Sequence, residues 1–235
     1  MPSSSAVVAI DGPSGSGKSS VSRGVARELG LRYLDTGSMY RAITWAVLRD
    51  GVDVNDTDAV AATARRSRLG WSTDPDESVV TVDGTDVSRA IREEAVTASV
   101  SAVAAEPRTR AVLVALQRRA VTDALAADQG IVVEGRDIGS VVLPQADVKV
   151  WLVADPAVRA ARRASEDVAA GRLAVTDPSV DEVAAELARR DALDAGRAAS
   201  PTTQADDAVV VDATNLRLAE VIDTVVGLVR DRTSS

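Results

Sequence analysis

Eight consecutive residues near the amino terminus, Gly12-Pro13-Ser14-Gly15-Ser16-Gly17-Lys18-Ser19, fit the pattern G-x-x-x-x-G-K-[ST] without a gap. These types at this spacing suit one chemistry. Glycines let successive backbone N–H groups turn inward around phosphate oxygens, the lysine adds a point charge there, and the hydroxyl after it can ligate Mg²⁺. A glycine-rich turn between a strand and a helix is the plainer alternative, but it requires neither the lysine nor the hydroxyl. The stretch Gly12 to Ser20 is therefore expected to bind a nucleoside triphosphate with Mg²⁺, Ser19 ligating the ion.

P-loops serve switches, motors and small-molecule kinases alike. Neither the guanine-reading N/T-K-x-D pattern nor D-x-x-G occurs in the chain. A kinase must hold an acceptor phosphate beside the donor, two polyanions that repel, so it needs several guanidinium groups and a means of expelling water. Candidates are Arg41, Arg136 beside Asp137, and the arginine-rich stretch 156–201 with Arg159, Arg163, Arg190 and Arg197, which can close as a lid. For any one of them, a solvated helix face is the ordinary reading; their joint placement argues for more. Glu134 closes an apolar run, where an acid that orients Mg²⁺ waters is found, although a solvent-facing carboxylate would look the same.

The elements that must position these residues can be read from periodicity. Ala6 to Ile10 is a short apolar run of buried-strand type, and from Lys18 the spacing Val21, Val25, Leu29 with Gly30 as a stop predicts a helix. A second strand lies around Tyr33-Leu34, followed by a helix that Ser38 can cap and Gly51 closes. Residues 68–87, with Asp83-Gly84 between alternating runs, predict a small antiparallel meander inserted over a ligand. A helical stretch from Val96 to Ala127 should break at Pro107. Strands ending at Glu134, Asp155 and Asp212 read as further buried parallel strands, and a last helix covers about 218–230. The class is α/β: a three-layer P-loop kinase fold, with a central parallel sheet binding ligands at its carboxyl ends, a small antiparallel insert and a helical lid.

Composition removes other chemistries. The 235 residues include no His and no Cys, which excludes a Ser-His-Asp triad, a cysteine nucleophile, a zinc finger and a disulfide framework. With 27 basic and 35 acidic side chains the net charge is −8, and with 2% aromatics the chain is not expected to bind nucleic acid. No window reaches the roughly 18–20 apolar residues of a membrane span, and the first residues do not resemble a signal peptide, so no membrane association and a cytoplasmic location are expected. All but two basic residues are Arg; the lysines are Lys18 and Lys149.

Several motifs in order give the chain a likeness to a known family. They are Ile10 through Ser19, Leu34-Asp35-Thr36-Gly37-Ser38-Met39-Tyr40-Arg41, Asp86-Val87 with Ile91-Arg92 and Ser101, Pro107-Arg108-Thr109-Arg110, Glu134-Gly135-Arg136-Asp137-Ile138-Gly139, and Arg190-Asp191-Ala192-Leu193-Asp194-Ala195-Gly196-Arg197 with Pro201. From Val7 to about Asp231 the chain resembles the bacterial cytidylate kinases, nucleoside monophosphate kinases that move the γ-phosphate of ATP to CMP and dCMP.

The resemblance implies that Ser101, Arg110 and Asp137 read the cytosine, that Arg190 and Asp194 hold the ribose, and that Thr36, Arg41, Arg136 and Arg197 hold the acceptor phosphate. Lys18, Arg136 and Arg197 would be catalytic, with Arg159 and Arg163 closing over ATP. It implies one domain over residues 1–235, with an acceptor-binding insert at about 66–103 and a lid at about 157–200, acting as a monomer on small nucleotides. Cytosine offers an N4 amine donor and N3 and O2 acceptors, which suit a carboxylate and an Arg. Uracil replaces that donor with an oxygen, costing roughly 1–3 kcal/mol per unmet polar group. Thr36 stands where many relatives carry Ser, and Glu134, one methylene longer, where Asp is frequent. Two alternatives remain: a kinase for UMP or another small acceptor, and a P-loop switch acting on a partner.

Overall fold

The computed structural model describes residues 5–169, 180–196 and 202–233. Strand β1 (Val7–Asp11) is buried throughout and lies at the centre of a five-stranded sheet. The others are β2 (Arg32–Asp35), β6 (Ile131–Gly135), β7 (Val148–Val153) and β8 (Val209–Asp212), in the order β2-β6-β1-β7-β8, every pairing parallel. Alternation along β1 divides the core. Val7 and Ala9 face one apolar cluster, whereas Val8 and Ile10 face the other.

Helices α1 (Lys18–Leu29) and α8 (Leu218–Thr233) cover the second face through Val21, Val25, Val225 and Val229. The first face is covered by α2 (Thr36–Arg49), α3 (Thr57–Arg66), α4 (Glu94–Ala105) and α5 (Pro107–Ala126). The three layers of the expected α/β class are thus present. Pro107 does break the long helical stretch: it occupies the first turn of α5, whose free Thr109 amide is capped by the Glu106 carboxylate at 2.5 Å.

The insert is the meander expected from Asp83-Gly84, formed by β3 (Leu69–Trp71), β4 (Val80–Val82) and β5 (Thr85–Asp86). It packs through Val80 and Val82 on Ala42 and Ala46 of α2. Two antiparallel candidates for a lid, α6 (Pro156–Ala169) and α7 (Val180–Ala195), follow β7.

Three details differ from the sequence reading. Helix α2 is capped by Asp35, whose carboxylate accepts from the Ser38 amide at 3.0 Å; Asp35 still has the extended backbone of β2 and so is the last non-helical residue, and Ser38 sits inside the first turn. Strand β8 is not buried: Val209 and Val210 are 44% and 52% exposed, because the strand is the sheet's edge and is paired only with β7. Helix α3 had no counterpart in the reading. No described helix is long and apolar enough to cross a membrane.

Candidate functional site

Strand β1 ends at Asp11, and the chain must turn at once to enter α1. Gly12 makes that turn possible, since a Cβ there would sit 2.1 Å from the Leu152 carbonyl oxygen of β7. Left-handed Gly15 and Gly17 complete a loop that borders a cleft of about 680 Å³, at the carboxyl ends of β1, β2 and β6. Ser14, Gly15, Gly17, Lys18, Ser19 and Ser20 line that cleft. Gly12, Pro13 and Ser16 lie behind them. The buried Ser16 hydroxyl has no hydrogen-bond partner.

Lys18 is buried, and its ammonium donates to the Pro13 carbonyl at 2.7 Å. Burial, reinforced by Arg136, pushes its pKa down, against the pull of Glu134, Asp11 and Asp191. Glu134, at the end of β6, is pushed up by burial and by Asp35, and accepts from the hydroxyls of Tyr33 and Ser19. Tyr33 was not among the residues singled out from the sequence. These hard oxygens, Ser19 with the carboxylates of Glu134 and Asp35 near it, fit a Mg²⁺ ion that keeps waters and takes phosphate oxygens. Among the described residues no cluster of three or more acidic side chains could cage a metal alone.

Across the cleft from the loop, Thr36 and Arg41 come from α2, Ser101 from α4, Arg110 from α5, Arg136 and Asp137 from the turn after β6, Arg163 from α6, and Arg190 and Asp194 from α7. All but Arg110 line the same cleft. Arg110 lies just behind, ion-paired with Asp137, both side chains about 5% exposed, its guanidinium 5.4 Å from the Tyr40 ring centroid. Ser101 Oγ donates to Asp194 at 3.4 Å, and Arg136 Nε donates to the other Asp194 oxygen at 3.2 Å. Arg136 also donates to Ser14 Oγ at 2.7 Å, so one side chain bridges the loop and α7. The Thr36 hydroxyl donates to the Glu134 carbonyl at 2.6 Å.

Arg41 donates to the Ile91 carbonyl and to Thr97 Oγ, yet its pKa is lowered to about 9 by burial and by Arg190, Arg163 and Arg92. Arg190 is lowered by burial and by Arg136 and Arg163. Arg41 and Arg190, each lowered by burial and by neighbouring guanidinium groups, with Arg190 Nε left without a hydrogen-bond partner, form a site suited to an anion.

Arg159 is not in the cleft lining. It donates to the Ser14 carbonyl at 2.8 Å and pairs with Asp191 at 2.5 Å, and Asp191 in turn accepts from the Ser14 amide at 2.9 Å. Asp191 is a second residue whose part the sequence did not disclose: it sits within a quoted motif, but its partners are 177 and 32 positions away. Arg197 falls outside the described residues.

A family model described as cytidylate kinase matches residues 8–231. The chain is 49% identical over 226 residues to the cytidylate kinase of Streptomyces avermitilis, covering 96% of this chain and 93% of that protein. It is 52% identical over 229 residues to that of Streptomyces griseus, covering 97% and 94%. Against that of Rhodococcus opacus the identity is 52% over 236 residues, covering 99% and 98%.

Proposed function

The chain belongs to the cytidylate kinase family, and from that premise we infer that it transfers the γ-phosphate of ATP to CMP or dCMP, giving CDP or dCDP and ADP. One observation supports the detailed reading above others: a single cleft holds a phosphate-binding loop on one wall and, on the other, converging arginines, two of which, Arg41 and Arg190, are lowered by burial and by their guanidinium neighbours. That is the arrangement two polyanions need in order to meet.

In this reading Lys18 and the loop amides hold the donor phosphates, and Ser19, with Glu134 through water, would hold Mg²⁺. Bound there, the ion neutralises charge on the transferred group. Thr36, Arg41, Arg136 and Arg197 take the acceptor phosphate; Arg190 and Asp194 take the ribose; Arg163 and Arg159 belong to the lid over ATP. Ser101, Arg110 and Asp137 take the cytosine. The Arg110–Asp137 pair supports that role, because a buried ion pair is costly unless its remaining lone pairs and protons are satisfied, and the N4 amine and O2/N3 edge of cytosine would satisfy them. Catalysis is positioning and charge neutralisation, with no covalent intermediate.

The same reading makes the protein one domain, with an insert at about 66–103 and a lid at about 157–200, a monomer working in the cytoplasm on small nucleotides. The test is ADP production from ATP and Mg²⁺ with CMP, dCMP, UMP, AMP or GMP offered singly beside a no-acceptor control. Strong stimulation by CMP and dCMP is expected. A rate indifferent to every acceptor would instead describe a nucleotide-driven switch.

A further inference from the structure

Asp11 immediately precedes the phosphate-binding loop. It is buried, does not line the cleft, and points sideways from β1 toward the turn that follows β6. Register explains the reach: Asp11 stands opposite Gly135, so its side chain faces the backbone just beyond. Its two oxygens accept from consecutive amides, Ile138 N at 2.8 Å and Gly139 N at 2.7 Å.

Those amides open a π-helical turn, Ile138–Val142, and the residue before it is Asp137. Gly139 is also held from the other side, since a Cβ there would lie 3.1 Å from Cδ of the Lys149 side chain. Asp137 is thus the last residue before a pinned turn, and its carboxylate meets Arg110 from α5. Arg136, one residue earlier, reaches the phosphate-binding loop and Asp194.

We propose that Asp11 is a positioning residue for recognition of the acceptor base: by holding two successive amides with one carboxylate, it sets the orientation of Asp137 and of the Arg110 guanidinium paired with it. The inference rests on the reading that Asp137 and Arg110 take the cytosine. Burial supports it, because keeping an unneeded carboxylate there is unfavourable; Asp11 is pushed up to about 6, chiefly by desolvation. The same side chain links the two half-sites, since its backbone leads directly into Gly12.

The test is Asp11→Asn, nearly isosteric, which replaces one acceptor with an N–H facing an amide N–H. An unmet pair of buried donors corresponds to about a tenfold change in an equilibrium. The ratio of kcat/KM for CMP over UMP should therefore fall by about tenfold, while KM for ATP stays within about twofold. A wild-type ratio, or equal rises in KM for CMP and ATP, would overturn the proposal, the latter marking a merely structural role. Should Asp11→Asn fail to fold, Asp11→Ser, which keeps one uncharged acceptor, is read in the same way. Asp137→Ala separates the two ideas. If it leaves the CMP-to-UMP ratio intact, the reading of the base site fails and the inference with it; if it collapses the ratio while Asp11→Asn does not, the inference alone fails. In the Asp137→Ala background, Asp11→Asn should change the ratio no further.

Discussion

Asp11 is a buried acid whose pKa lies above its unfolded value, which gives a pH dependence of definite sign. The folded chain holds this proton up to about pH 6, whereas the unfolded chain releases it near the ordinary Asp value of 3.8. Its contribution to stability is fully present below the lower value and is lost as pH rises through the upper, amounting to roughly 3 kcal/mol. The charges facing it are Asp137, which raises the pKa, and Lys18, which lowers it. Denaturant melts between pH 4 and 7 should therefore show a steeper decline in stability for the wild type than for Asp11→Asn, which cannot titrate; parallel curves would contradict the assignment. Arg190 makes the second test at this scale. Its guanidinium sits among like charges in the acceptor half of the cleft, so Arg190→Ala should weaken CMP by about 10- to 100-fold through loss of charge-assisted hydrogen bonds. ATP affinity should hardly move, and calorimetric titration with each ligand would expose an equal loss of both.

At the scale of elements, the α6–α7 pair docks on the tip of the phosphate-binding loop. The Ser14 amide and carbonyl are taken by Asp191 of α7 and Arg159 of α6, and Gly15 lies under both helices: a Cβ there would meet the Arg159 carbonyl oxygen at 3.1 Å and Leu187 Cδ1 at 3.3 Å. With φ at +74° the position is also left-handed. Gly15→Ala should lower kcat at least tenfold and leave the α6–α7 pair more open to limited proteolysis in the presence of both nucleotides, with far-ultraviolet circular dichroism unchanged; wild-type protection would disprove the docking role. Such contacts show what could be read in the chain and what could not. Local signals, such as the lysine-bearing loop, Pro107 and Asp83-Gly84, act over a few residues and were legible. Helix α3 was not, because its buried face is mostly small, Val60 with Ala61 and Ala64, and leaves a weak apolar stripe. The exposure of β8 depends on its place in the sheet, which a run of valines does not record. In the site, residue types were legible but pairings were not: Arg110 with Asp137, Tyr33 with Glu134 and Asp11 with the 138–139 amides join elements distant in the chain.

For the molecule as a whole, charge is separated by position. The chain carries a net −8, yet Arg41, Arg136, Arg163 and Arg190 converge on one cleft. Basic side chains gathered in a cleft of an otherwise net-acidic chain raise the local concentration of anions there. The two tasks of the acceptor site then differ in their response to salt. In the proposed reading the acceptor phosphate meets arginines that line a cleft open to solvent, and mobile ions screen that attraction, since the Debye length shrinks from about 10 Å at 0.1 M to about 3 Å at 1 M. In the proposed reading the base meets Arg110 and Asp137, whose side chains are almost wholly buried and little screened. Raising ionic strength should accordingly increase KM for CMP and for UMP several-fold and in parallel, leaving the ratio of their kcat/KM values unchanged. Steady-state kinetics with both acceptors across a salt series measures this. A ratio that falls with salt would mean that discrimination depends on exposed charge, and would move the base-reading role away from the buried pair toward the arginines at the cleft mouth.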